Sequence, residues 1–85
     1  MPKKSDGEVQ AEISALTELL PQLPQRARQA VDAAIEVLRE DLSNGAIHEK
    51  FEEGTEEFED ALTAVMWRNG VAGSGALSAW YRDLM

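Results

Sequence analysis

Apolar residues recur every three or four positions through most of this chain, which is the spacing of one face of an α-helix. The clearest stripe consists of Ala27, Val31, Ala34, Ile35, Leu38 and Leu42. No segment alternates apolar and polar residues for long enough to predict a β-strand. The sequence therefore predicts an all-α fold, a small bundle of three main helices followed by a short C-terminal helix.

The first helix is predicted to begin near Ser5. Ser5 precedes Glu8 by three residues, the spacing at which a hydroxyl caps the first helical amides and the carboxylate reaches back. An apolar stripe follows, made of Val9, Ile13, Leu16 and Leu20. Pro21 and Pro24 then end the helix, because proline lacks an amide proton and disfavours helical geometry in the residue before it. We expect residues 20–23 to form a rigid corner before the second helix.

A third helix is predicted to start near residue 46. The Ser-Asn-Gly sequence at residues 43–45 ends the second helix, because its Asn or Gly can adopt the positive φ of a left-handed stop. Further along, Gly54 and Thr55 interrupt the apolar pattern. This interruption fits either one kinked helix over residues 46–69, which we favour, or a break after which Thr55 caps a new helix.

The chain is predicted to be one helical domain, residues 1–85, with a flexible start at residues 1–5. A glycine-rich connection over residues 70–75 follows the third helical pattern and leads to the tail. In the tail, one side of a short helix would carry Leu77, Trp80, Tyr81 and Leu84. A helix of this length is marginal in water by itself, so we expect it to dock on the rest of the chain.

The core is predicted from these stripes. It comprises Ile13, Leu16, Leu20, Val31, Ile35, Leu38, Phe58, Leu62 and Val65. The 85 residues include no cysteine, so no disulfide and no cysteine-bound metal can supplement this core. The lack of cysteine also suits a reducing compartment, and no window approaches the roughly 18 apolar residues of a membrane span. We therefore expect a cytoplasmic protein.

The charge balance restricts the partners. Sixteen acidic residues against eight basic ones give a formal net charge of −8. A field of this sign opposes direct binding to phosphate backbones and to anionic membranes. The expected partner surface is neutral or basic.

Catalysis, cofactors and metals have little support in the sequence. Gly70, Gly73 and Gly75 approach a dinucleotide-binding pattern but follow no predicted strand. His48 and Glu52 lie one helical turn apart, yet two ligands on a solvated face do not make a metal site. A catalytic carboxyl would need an apolar pocket, for which so small a bundle has little room. We expect a non-catalytic protein-binding module without cofactor or metal.

Seven carboxylates lie between residues 49 and 60, where Lys50 is the only basic residue. They are Glu49, Glu52, Glu53, Glu56, Glu57, Glu59 and Asp60. On one helix they form two adjacent rows, Glu49-Glu53-Glu57 and Glu52-Glu56-Asp60. Neighbouring carboxylates in a row are about 6 Å apart, close to the spacing of phosphates along a nucleic-acid strand. The segment fits either a solvated face or a ridge that binds a basic, nucleic-acid-binding surface of a partner protein.

Aromatic residues are concentrated near the C-terminus. Trp67, Trp80 and Tyr81 belong to the residue types enriched at the centres of protein interfaces. They fit either the domain's own core or an interface with a partner or a second copy. The second interpretation predicts a structural or oligomerising subunit, of phage or bacterial type, as the alternative function.

As a small, acidic, cysteine-free single domain, the chain resembles the proteins with which phages and plasmids block host defence. These include DNA-mimicking inhibitors of restriction enzymes and anti-CRISPR proteins. The resemblance is one of composition and transfers no residue roles. It implies a small inhibitor whose acidic ridge occupies a surface that normally holds DNA or RNA.

Overall fold

The computed structural model describes residues 3–71 and 76–83. Within these residues the chain forms five α-helices and a turn of 3-10 helix at Leu20–Gln22, with no strand, so the all-α prediction is confirmed. The helices are α1 (Asp6–Leu19), α2 (Gln25–Glu40), α3 (Asn44–Lys50), α4 (Glu56–Arg68) and α5 (Leu77–Arg82). Residues 72–75 of the predicted connection over residues 70–75, residues 1–2 of the predicted flexible start, and the predicted contribution of Leu84 lie outside the described residues.

The start of α1 follows the predicted cap. The Ser5 hydroxyl oxygen accepts a hydrogen bond from the Glu8 amide at 3.2 Å and donates to the Glu8 carboxylate at 3.2 Å. The preceding residue is also held, because the Lys4 amide donates to the carbonyl of Arg68 at 2.7 Å. Residues 4 and 5 are thus bonded to the domain at the junction of α1 and α4.

The corner after α1 forms as predicted, but the apolar stripe ends one residue earlier. Leu19 is buried and Leu20 is only partly buried. The reason is that the chain tightens into the 3-10 turn after Leu19, which changes the angular spacing of the side chains. Leu23 closes the corner and is buried.

The predicted stop at residues 43–45 is wrong in position. The left-handed residue is Asp41, with φ 50, and α2 already ends at Glu40. Aspartate tolerates this conformation better than most residues. The Ser-Asn-Gly sequence instead begins α3, because the Ser43 hydroxyl accepts a hydrogen bond from the Ala46 amide at 3.2 Å.

Residues 46–69 form two helices, so the favoured single kinked helix is wrong. Phe51 is extended, and Gly54 has φ 85, a conformation that interrupts an α-helix. Thr55 then caps α4 by accepting a hydrogen bond from the Phe58 amide at 3.2 Å. Its hydroxyl also donates to the Glu52 carbonyl at 2.6 Å, which closes the turn between the helices.

The core lies between α2 and α4, with α1 packed on α2 and α5 packed chiefly on α1. The predicted core residues are buried except Leu20 and Leu62, which are partly buried at its edge. Trp67 and Tyr81 are also buried, in line with the core interpretation of these two residues. The other buried apolar residues beyond the predicted set are Val9, Leu19, Leu23, Ala33, Ala34, Val37, Ile47, Phe51, Ala61, Ala64 and Leu77. The first and last described helices, α1 and α5, therefore share one core.

Candidate functional site

The seven carboxylates predicted as a site form a surface at the junction of α3 and α4. This acidic surface consists of Glu49, Glu52, Glu53, Glu56, Glu57, Glu59 and Asp60. Glu49 belongs to α3, Glu52 and Glu53 to the connection, and the other four to the start of α4. The two helical rows do not exist, because the helix is interrupted at residues 51–55.

The lone lysine of this segment does not neutralise the acidic surface. Lys50 Nζ lies 2.8 Å from carboxylate oxygens of both Glu36 and Glu40 on α2. The hydrogen bonds to Glu36 and Glu40 raise the pKa of Lys50, and the bond from Lys50 lowers the pKa of Glu40. Lys50 therefore connects α3 to α2 and forms no ion pair with Glu49, Glu52 or Glu53.

Two members of the acidic surface have a partner. Glu56 forms an ion pair with Arg26, whose Nε donates to a Glu56 oxygen at 3.2 Å. Glu53 Oε1 lies 2.6 Å from Nδ1 of His48. The possible metal pair of His48 with Glu52 is not formed, and the described residues contain no group of three acidic or histidine side chains arranged for a metal.

The other carboxylates of the surface have no cationic partner within the described residues. Glu49, Glu52, Glu57 and Glu59 are exposed, whereas Asp60 is partly buried. Burial raises the pKa of Asp60, and the charges of Glu56, Glu59 and Glu57 raise it further. Glu56, Glu57 and Glu59 therefore lie close enough to Asp60 to raise the free-energy cost of ionising it.

The helix dipole separates the acidic surface into two groups. Glu56, Glu57 and Glu59 occupy the first turn of α4, where a negative charge stabilises the helix. The sequence implies this stabilisation for Glu56 and Glu57 in the alternative where Thr55 caps a new helix, and the structure contains that cap. Glu49 lies near the C-terminal end of α3, where a carboxylate is unfavourable, and Glu52 lies in the connection. The side chains of Glu49 and Glu52 thus form no ion pair with the described residues and gain nothing from a helix N-terminus.

The negative surface extends onto α2, which the sequence analysis did not anticipate. A groove of about 240 Å³ is lined by the carboxylates of Asp32, Glu36 and Glu57 together with Gln29, Ala33 and Phe51. Arg28 lies one helical turn before Asp32 but forms no ion pair with it, and Arg28 Nε instead donates to the Leu23 carbonyl at 3.2 Å. In the sequence, the only indication of this extension was that Asp32 and Glu36 lie one helical turn apart on α2. The sequence did not show that the segment after α3 would bring Phe51 next to them.

The aromatic residues divide between the interior and the surface. Trp67 is 5% exposed and Tyr81 is fully buried, whereas Trp80 is 44% exposed. The ring centroids of Trp80 and Tyr81 are 4.6 Å apart, and Lys4 Nζ lies 5.3 Å from the Trp67 ring. Of the three aromatic residues predicted to bind a partner, the fold leaves Trp80 accessible and places Trp67 and Tyr81 in the core.

Two buried charges are the principal features that the sequence analysis missed. Glu12, 4% exposed, accepts hydrogen bonds from the amides of Leu77 at 2.8 Å and Ser78 at 3.2 Å. Arg68, 8% exposed, has its Nε 2.7 Å from Asp41 Oδ1, in an ion pair whose N–H is not aligned for a hydrogen bond. Glu12 lies on the apolar face of α1. A charged residue at that position was the only feature of the sequence that could have indicated a buried carboxylate.

Neither a protein-family model, nor a curated protein, nor a solved structure matches this chain. Among the described residues, no helix has the length and apolar character needed to cross a bilayer.

Proposed function

We propose that this protein is a non-catalytic binding protein that presents its acidic surface to a basic, nucleic-acid-binding surface of a partner protein. It acts as a small inhibitor or regulator by occupying the place of DNA or RNA. The terms anti-defence protein and DNA mimic describe this mode of action. The proposal includes no direct contact with nucleic acid.

One observation carries the proposal, namely the position of Glu49 and Glu52. Neither side chain forms an ion pair with the described residues, and neither lies at a helix N-terminus that would favour its charge. Carboxylates in such positions repel their acidic neighbours, and no ion pair within the described residues offsets that repulsion. A basic partner surface would supply the missing attraction.

The other carboxylates of the acidic surface contribute to its negative electrostatic field, but several of them already take part in interactions within the protein. Glu56 already pairs with Arg26, and Glu57 and Glu59 stabilise the start of α4. Charge concentrated on one face increases the rate of encounter with a surface of opposite charge. Glu49 and Glu52 are therefore the residues proposed to make the principal contacts, within the field of the whole acidic surface.

The test begins with a partner captured at low ionic strength from cells that produce the protein, identified by mass spectrometry and then purified. Binding is measured with and without a DNA or RNA oligonucleotide that the partner binds. We expect the protein and the oligonucleotide to exclude each other and the association rate to fall steeply with added salt. Simultaneous binding of both, or association independent of salt, would refute the proposal.

The exposure of Trp80 supports a second candidate function, assembly of copies or subunits through α5. Val71 is also exposed, so two large apolar side chains are open to solvent among the described residues. Sedimentation over a concentration series tests this candidate on the unmodified protein and on Trp80→Ser. Self-association that disappears in the variant and is insensitive to salt would support assembly, and a monomer at every concentration would exclude self-assembly.

A further inference from the structure

The C-terminal helix α5 receives its N-terminal cap from another part of the chain. The residue at its own cap position, Ala76, has no side chain that could accept a hydrogen bond. The carboxylate of Glu12 on α1 accepts instead from the first two amides of α5, those of Leu77 and Ser78. Amides at the start of a helix have no partner within the helix, so Glu12 supplies the bonds that α5 cannot make itself.

The stability of α5 depends on this contact and on two buried apolar side chains. A helix of six residues does not persist alone in water. Leu77 and Tyr81 enter the common core, while Ala79, Trp80 and Arg82 remain exposed. The helix packs chiefly against α1, so few interactions hold it to the other helices.

Docking of α5 also has two costs that are recovered when it leaves. The Glu12 carboxylate is removed from water. The Tyr81 hydroxyl is buried and has no hydrogen-bond partner within the described residues. Water would hydrate both groups in an undocked state. These costs lower the stability of the docked state, and elements held by few contacts open at a lower free energy than the whole domain unfolds.

We propose that α5 is a latch on the bundle of α1–α4, held closed by the hydrogen bonds of Glu12 to Leu77 and Ser78. The latch opens locally while α2 and α4 remain folded. In the open state, Leu77, Trp80 and Tyr81 become accessible together as one apolar segment. This inference is independent of the proposed function of the acidic surface.

Amide hydrogen exchange measured by NMR at several urea concentrations tests the latch on the full chain. We expect the Leu77 and Ser78 amides to exchange at least about tenfold faster than those of Leu38 and Val65, and with a weaker dependence on urea. Leu38 and Val65 report the opening of α2 and α4. Equal exchange rates with an equal urea dependence at all four amides would overturn the proposal, because α5 would then leave only on global unfolding.

Two variants are expected to shift the latch in opposite directions. Glu12→Gln removes the charge that strengthens both bonds and should accelerate exchange at Leu77 and Ser78 by about tenfold or more. Tyr81→Phe removes the unpaired hydroxyl and should slow the same exchange by about threefold or more. The matched control Glu18→Gln alters an exposed carboxylate on α1 and should change it by less than about twofold. Unchanged exchange in Glu12→Gln would overturn the role of Glu12, since the variant retains the shape of the side chain.

Discussion

Two regions of this molecule differ in whether their carboxylates are buried and hydrogen-bonded or exposed and unpaired. Where α1 meets α5, Glu12 is buried and accepts hydrogen bonds from two amides that lie 65 and 66 residues further along the chain. Where α3 meets α4, the acidic surface holds exposed carboxylates, of which Glu49 and Glu52 have no cationic partner within the described residues. Glu12, which stands alone in the sequence, makes hydrogen bonds that hold two helices together. Glu49 and Glu52, which belong to the acidic cluster, form no ion pair within the described residues.

This contrast shows that the role of a charge depends on what the fold brings to it. Lys50 stands among the acidic residues in sequence but pairs with Glu36 and Glu40. Arg68 follows the apolar pattern of α4 and lies buried beside Asp41. Sequence neighbours were therefore a poor guide to charge compensation in this chain.

The largest expected effect is in the shared core and sets the scale for both regions. Leu38 is buried between the helices, so Leu38→Ala should lower the free energy of unfolding by about 2 to 5 kcal/mol. Urea denaturation followed by circular dichroism measures this loss. Leu62→Ala, at the partly buried edge, is the control and should lose less. A loss below about 1 kcal/mol for Leu38→Ala would remove this residue from the core.

The second prediction compares the two kinds of carboxylate directly. Glu12→Ala leaves two buried amides without an acceptor and should cost about 1 to 3 kcal/mol. Glu52→Ala should change the free energy of unfolding by less than about 0.5 kcal/mol, because its side chain is exposed and has no ion-pair partner within the described residues. The two variants are measured side by side by urea denaturation. Equal losses would remove the distinction between the regions.

The third prediction concerns the break that divides the acidic surface. Thr55 caps α4, so Thr55→Ala should cost about 1 kcal/mol. If residues 46–69 were one helix, the same change would stabilise the protein, because alanine is the better residue inside a helix. The sign of the change in the urea midpoint therefore distinguishes the two arrangements. A stabilised variant would instead support one continuous helix over residues 46–69, with the carboxylates in two rows.

The smallest expected effect is the repulsion within the acidic surface. Because the pKa of Asp60 is raised in the folded protein, ionised Asp60 opposes folding at neutral pH. Asp60→Asn should raise the urea midpoint slightly at pH 7. The gain should shrink as the pH falls through the raised pKa, because the folded protein then carries a protonated Asp60. A gain that is independent of pH would assign the effect to something other than this charge.

Much of the fold was accessible from local sequence signals. The Ser5 cap, the corner at Pro21 and the end of α4 before Gly70 depend on residues close in sequence, and the structure contains all three. The exact stop of α2 was missed. The left-handed residue is Asp41, and its carboxylate pairs with Arg68, which lies 27 positions away. Local patterns cannot reveal a partner at that separation.

The candidate site was predictable in composition but not in geometry. The run of carboxylates was evident, whereas its division into helix-stabilising and unsupported members depends on where α4 begins. The capping residue Thr55 was recognised in one of two alternatives, and the spacing of the apolar residues fits both. The sequence predicts that α5 docks on the rest of the chain but does not specify its orientation. It therefore could not show that Tyr81 would be buried and Trp80 exposed.

The most direct test of the central claim is the association rate of the purified partner with two double variants. Glu49→Lys with Glu52→Lys alters the acidic surface at positions where no helix start is disturbed. Glu18→Lys with Asp83→Lys changes the net charge by the same amount outside that surface. At low ionic strength we expect the first variant to associate at least about tenfold more slowly than the unmodified protein, and the second to change far less. Equal slowing in both folded variants, or no slowing in either, would contradict the claim that this surface binds the partner.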